Sequence, residues 1–209
     1  MESKLVLIGG GSSSGKTYSA KYAIKALNMD NDVVLISFDD YYNDLSYMSE
    51  EERHIQNMDE PSAFDWKLLN KHMKMLKENK PIEKPVYNFN TFSREDYTVT
   101  IKPHKLIILE GIMALENEKI RNMADLKVFV SASPERRFLR RLIRDHTERD
   151  NRPYERIIKQ YFDTVKPMYD LYVKPTQYFA DAILYNEGTE ESESKAVNLL
   201  TTLLRALTL

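Results

Sequence analysis

The 209-residue chain contains no cysteine, which excludes a disulfide framework and any thiolate metal site. Its four histidines, His54, His72, His104 and His146, are scattered and never fall in HExxH spacing, so a protein-built zinc centre is not expected. Neither sign of charge dominates. With 30 Lys and Arg against 32 Asp and Glu, the net charge is −2; the molecule as a whole offers no field for a polyanion, and no nucleic-acid partner is expected. Long apolar runs are missing too. Met1-Glu2-Ser3-Lys4 leads into a stretch far too short for a signal peptide or a membrane span, so no membrane association and a cytoplasmic location are expected. Without internal repeats, low-complexity tracts or Gly/Ser linkers, the length suits one domain over 1–209.

What the sequence does contain is a rhythm of short apolar runs at 5–8, 33–36, 106–109, 126–130 and 182–184, alternating with helical patterning. Strands that are apolar throughout are covered on both faces, so the pattern predicts an α/β fold around a central parallel sheet. Helices are expected at about 15–28, 64–78, 116–123, 134–149, 154–173 and 190–207. Pro134 suits a first helical turn, where its missing N–H costs nothing, and Ser49 with Glu52 makes a capping box for a short helix. The stretch from about 40 to 104 is long for one crossover. Its strand-like runs PVYNF and YTVTI mark it as an insertion beside the sheet.

After the first strand comes GGGSSSGKT, in which Gly10, Gly11, Ser12, Ser13, Ser14, Gly15, Lys16 and Thr17 fit G-x-x-x-x-G-K-[ST]. Glycines let backbone N–H groups wrap a phosphate that a Cβ would hold away, and the helix that follows aims its positive end at the same anion. Lys16 would bridge terminal phosphates, and the Thr17 hydroxyl would serve Mg2+, a hard cation that prefers oxygen. The motif, in its strand-to-helix context, indicates a nucleoside triphosphate. Glu110 closes LIILEG at the carboxyl end of a buried strand, where open α/β sheets bind ligands. A carboxylate there either holds Mg2+ or caps a neighbouring helix. Asp39 and Asp40, in SFDDYYND, also follow a strand, on the rim of the same crevice. Phosphoryl transfer to a hydroxyl needs a group that positions the acceptor and takes its proton. Adjacent residues leaving a strand point opposite ways, so one of the pair should face the phosphate while the other is solvated or caps a turn.

Taken in order, GGGSSSGKT, SFDDYYND, NMDEPSAFD, PVYNF, ILEGI, RRLIRD, KQYFDTVKPMY and FADAIL resemble the uridine kinase (uridine-cytidine kinase) family over nearly the whole chain. The resemblance implies a three-layer P-loop kinase fold with a small acceptor-binding insertion (about 40–104) and an Arg-bearing lid (about 144–153). It implies transfer of phosphate from ATP, with Mg2+, to the 5′-hydroxyl of a nucleoside, and a homo-oligomer, commonly a tetramer. By the same resemblance Asp39 matches the catalytic aspartate, which lies near the metal, and Tyr42 the aromatic residue three positions on. Asp59 matches the aspartate that binds the ribose hydroxyls, and Tyr87 and Phe89 match aromatics flanking the base. Arg141 and Arg144 match paired arginines, Arg149 and Arg152 the lid, and Gln160 a glutamine near the acceptor.

The helix PERRFLRRLIRDHTER leaves two readings for Arg136, Arg137 and Arg140: a solvated face, with Phe138, Leu139 and Leu142 packed inward, or arginines aimed at phosphate. Three departures from the family pattern stand out. Phe92 occupies the place of a histidine that reads the pyrimidine's exocyclic group, and a phenyl ring cannot make that hydrogen bond. The lid reads ERDNRP, with Pro153 stiffening the next helix start. LYNEG replaces the usual stretch after the last strand, so Tyr185, Asn186 and Glu187 would alter contacts to the donor base. The chain is thus expected to be an ATP- and Mg2+-dependent pyrimidine nucleoside kinase. The open alternatives are a related kinase for another small hydroxyl acceptor, a non-catalytic ATP-binding regulator and, least supported, an RNA-binding protein.

Overall fold

A computed structural model describes residues 3–29, 31–148 and 151–208. Five strands, β1 (Lys4–Gly9), β2 (Val33–Ser37), β5 (Leu106–Glu110), β6 (Leu126–Ser131) and β7 (Ala182–Tyr185), form one sheet in the order β2-β5-β1-β6-β7. All neighbouring pairs are parallel, as the apolar runs require. Side chains alternate along each strand, and both faces are buried. Val6 and Ile8 of β1 pack with α1 (Lys16–Leu27) and α8 (Glu190–Thr208), whereas Leu5 and Leu7 pack on the opposite face with α3 (Trp66–Lys77). That opposite core runs on without a break from the sheet into the insertion, through Tyr41, Phe64, Leu69, Met73, Ile82 and Tyr87.

The insertion carries α2 (Glu50–His54), α3, and the antiparallel hairpin of β3 (Ile82–Asn88) and β4 (Ser93–Ile101). Ser49 and Glu52 form the expected capping box at α2. Asp65 caps α3 by accepting from the Leu68 N–H at 2.9 Å, and Leu69, His72, Met73 and Leu76 give that helix one buried face. Both hairpin strands extend N-terminally beyond the two runs visible in the sequence, through the charged stretches Glu83-Lys84 and Arg94-Glu95-Asp96.

Three expectations are corrected. The predicted helix at 154–173 is helical but not uniformly α: α6 (Tyr154–Gln160) passes into a π segment (Tyr161–Val165), a short α7 (Lys166–Met168) and a second π segment (Tyr169–Val173). Pro167 removes one backbone donor from the ladder, and the wider turns flank it. In α5 (Pro134–Thr147), Leu139 is not packed inward but 49% exposed. The buried positions of α5 are Arg137, Arg141 and Asp145, so the inward stripe is charged. Asp40 is neither solvated nor a turn cap; it forms an ion pair with Lys84 of β3. No helix among the described residues is long and apolar enough to cross a membrane.

Candidate active site

Sheet register decides what meets at the carboxyl edge. Ile8 of β1 and Ser37 of β2 both pair with Glu110 of β5, so the phosphate-loop sequence, Asp39 and Glu110 leave the sheet at the same level. The loop is shaped for an anion. Gly10 has φ 140°, and a Cβ there would collide with the Val130 carbonyl; Gly15 has φ 95°, and a Cβ there would collide with the Asn186 amide. At the start of α1, Gly15 provides no side-chain cap and the first turn holds no acid, so the N–H groups at the positive end of the helix remain available.

Lys16 is buried, and its ammonium donates to the Gly11 carbonyl at 3.0 Å. Burial lowers its pKa, Glu110 and Asp39 oppose that shift, and Arg144 and Arg137 reinforce it. The Thr17 hydroxyl donates to Glu110 Oε1 at 2.8 Å, which sets two oxygens side by side beneath the loop. Among the described residues no cluster of three acidic or histidine ligands could hold a metal by itself. Two protein oxygens beside a phosphate cradle fit a hard divalent cation whose other ligands are phosphate oxygens and water.

Two cavities meet here. One is lined by the loop, Glu110, Arg140, Asn186 and Glu193; the other by Tyr42, Met58, Asp59, Tyr87, Phe89, Phe92, Arg141, Arg152 and Gln160. Ser12, Asp39, Ile112 and Arg144 line both and form the shared wall. Asp39 reaches that wall from a 3-10 turn (Phe38–Tyr41), anchored by its N–H bonding to Ser37 Oγ at 3.3 Å.

The second cavity is aromatic with an acidic floor. Tyr42 stacks on Phe64 at 4.2 Å between ring centroids and stands 4.9 Å from Tyr87, while Phe89 meets Tyr87 edge-on at 5.3 Å. Burial, the leading cause, raises the pKa of both Tyr42 and Tyr87, with Asp39 adding to each, so both phenols stay protonated. The buried Tyr87 hydroxyl has no hydrogen-bond partner among the described residues. Phe92, at the hairpin turn, is buried with φ 52°, a left-handed conformation rare for a bulky residue.

The arginines divide differently from the sequence reading. Arg141 donates to Ser12 Oγ at 3.0 Å and to Gln160 Oε1 at 3.4 Å, and Arg141 and Arg144 both pair with the fully buried Asp145. Arg152, expected in the lid, lines the second cavity, with its guanidinium carbon 5.7 Å from the Phe92 ring centroid. Arg149 lies outside the described residues. Of the residues after β7, Asn186 lines the first cavity and bonds Arg140 at 2.7 Å, Glu187 turns away to accept from the Ser133 N–H at 3.0 Å, and Tyr185 is exposed. Sequence reasoning missed Arg94, whose guanidinium donates to the Tyr42 carbonyl at 2.8 Å and pairs with Asp65 at 3.3 Å. It also left Arg137 and Arg140 undecided, although the four-residue spacing of Arg137, Arg141 and Asp145 already set them on one helical face.

A phosphate loop between a parallel strand and a helix, joined through a shared aspartate to a second, aromatic cavity, defines a P-loop protein of the kinase class. Residues 5–192 match the model of the phosphoribulokinase / uridine kinase family. The chain belongs to that family. It is 42% identical over 206 residues to a uridine kinase from Lactobacillus helveticus, covering 98% of this chain and 96% of that protein. It is 41% identical over 209 residues to one from Geobacillus sp., covering 99% and 97%. The phosphoribulokinase from Rhodobacter spheroides shares the fold with a TM-score of 0.63 at 16% identity, covering 88% of this chain and 70% of that one.

Proposed function

We propose that the protein transfers phosphate from ATP, with Mg2+, to the 5′-hydroxyl of a pyrimidine nucleoside, uridine or cytidine. The observation that carries this reading is Asp39 on the wall common to the phosphate cradle and the aromatic cavity. A nucleoside whose base lies among Tyr42, Tyr87 and Phe89 and whose ribose hydroxyls bond Asp59 would present its 5′-hydroxyl at that wall. Asp39 then positions the hydroxyl and accepts its proton as the new bond to phosphorus forms. Lys16 and Arg144 stabilise charge on the transferring group, while Arg141 and Gln160 close the acceptor side. Thr17 and Glu110 would hold Mg2+, with Asp39 nearby, and the metal would supply neutralisation of phosphate charge.

In this reading the single domain keeps its acceptor site in the insertion at about 40–104, and residues of about 144–153, with Arg149 and Arg152, form a lid. A cytoplasmic homo-oligomer, a tetramer by family resemblance, completes the proposal. The relatives named uridine kinase support the acceptor class. ADP release from ATP and Mg2+ should be measured with uridine, cytidine, pantothenate and simple sugars in parallel. Turnover with a pyrimidine nucleoside is expected; turnover confined to pantothenate or a sugar would overturn the assignment.

A further inference from the structure

Arg137 is the odd member of the α5 cluster. Three other arginines of the helix have acids: Arg140 pairs with Glu193, and Arg141 and Arg144 with Asp145. Arg137 is 3% exposed and has no carboxylate within 4.0 Å among the described residues. Its Nε donates to the Ala132 carbonyl at 3.3 Å, and its guanidinium lies over the Tyr169 ring, 3.7 Å from the centroid. The guanidinium and the ring both lie against the phosphate loop: a Cβ on Gly11 would come within 2.5 Å of an Arg137 nitrogen and 2.9 Å of the Tyr169 ring. The Gly11 carbonyl, in turn, holds the Lys16 ammonium and the Ser14 N–H.

A guanidinium cannot shed its proton in this setting, so burying one without a counter-charge is unfavourable until another charge completes it. One carbonyl and one aromatic face make up only part of that deficit. The anion for which the adjacent loop is built supplies the rest.

We infer that Arg137 is a positioning residue for the donor: a buried cation behind Gly11 whose missing counter-charge is the nucleotide's polyphosphate, so that it favours the more highly charged nucleotide without touching it. Tyr169 fixes the guanidinium against the loop from the second π segment (Tyr169–Val173). The donor loop is thereby braced by the helical stretch 154–173, whose Gln160 lines the acceptor cavity. The inference rests on the nucleotide half of the proposed function and is independent of which acceptor is used.

The test is equilibrium binding of ATP, ADP and AMP to the intact protein and to its Arg137→Met and Arg137→Lys variants without nucleoside, with thermal melting of each ligand-free protein alongside. Met keeps much of the volume and removes the charge; Lys keeps the charge. Arg137→Met should weaken ATP binding about tenfold, ADP binding by less and AMP binding hardly at all, with Arg137→Lys retaining most of the ATP-over-AMP preference. Ligand-free Arg137→Met should melt no lower than the wild type, since a costly buried charge is gone. An unchanged ATP:ADP:AMP affinity ratio in Arg137→Met, or an equal loss in both variants, would overturn the inference while leaving the nucleotide site intact. Failure of the wild type to bind ATP would remove both. Should Arg137→Met not fold, Arg137→Gln takes its place in the same comparison.

Discussion

Asp39 and Asp40 share one chemistry and differ in direction, and the difference decides what each does. Asp39 opens onto both cavities, while Asp40 lies against Lys84, with side-chain exposures of only 20% and 14% in that pair. Asp39→Asn keeps shape and hydrogen bonding but cannot accept a proton, so kcat should fall about 10²–10⁴-fold with ATP affinity little changed. Asp40→Asn should leave kcat within a few-fold and instead cost roughly 1–3 kcal/mol of stability, because it strands a half-buried ammonium. Steady-state kinetics and urea titrations on the two variants separate these outcomes; equal kinetic losses would refute the division of roles. The sequence shows that the two point apart, since neighbours leaving a strand diverge. It could not show the ion pair, because Lys84 is 44 residues away and only the docked hairpin brings it near.

Helix α5 illustrates at the scale of an element where hydrophobic periodicity fails. Its extent is legible from Pro134 and its helical spacing, but the rule that apolar residues face inward turns it the wrong way. Leu139 and Ile143 are exposed, while Arg137, Arg141 and Asp145 are buried, because this helix packs on an anion site and not on oil. Arg141 and Arg140 contact the loop residues Ser12 and Ser13, and Arg141 and Arg144 depend on Asp145 to hold them without mutual repulsion. Asp145→Ala should therefore destabilise the protein by about 3–5 kcal/mol, the range for removing one partner from a buried ion network. Leu139→Gln on the opposite face should cost under about 0.5 kcal/mol. Chemical denaturation of both variants checks the orientation of the helix, and reversed magnitudes would contradict it. The π segments after α6 were invisible for a different reason: the sequence pattern resolves a helix but not which carbonyl each N–H selects.

At the scale of the whole molecule, the five core strands were legible because a strand buried on both faces is apolar almost throughout, whereas the hairpin was half hidden by its charged residues, Glu83-Lys84 and Arg94-Glu95-Asp96. What joins these two regions is again long-range: Tyr41, just after β2, shares a 3.0 Å hydrogen bond with His72 of α3, and both are buried. Burial lowers the His72 pKa from its ordinary 6.5, and burial raises that of Tyr41 above its ordinary 10.0. The sign follows from which state binds the proton. Below 6.5 the unfolded chain protonates its imidazole while the folded His72 resists, so this contribution is complete above 6.5 and is lost as the pH falls toward the folded value. For Tyr41 the unfolded phenol ionises first, so stability is lost as the pH rises above 10.0. Asp125, which accepts from the Leu5 N–H at 2.8 Å and from Lys77 at 2.9 Å, has a depressed pKa and adds a further loss only below 3.8. From His72, Tyr41 and Asp125 together, urea unfolding should thus give a plateau from about pH 6.5 to 10, with a first decline setting in below about pH 6.5, well above the carboxylate range. His72→Phe should lower the plateau by about 1–3 kcal/mol, since it leaves the buried Tyr41 hydroxyl without its partner, and should flatten that first decline. A variant that keeps the wild-type slope between pH 7 and about 5.5 would move that titration to another residue and deny this pair its part in joining sheet to insertion.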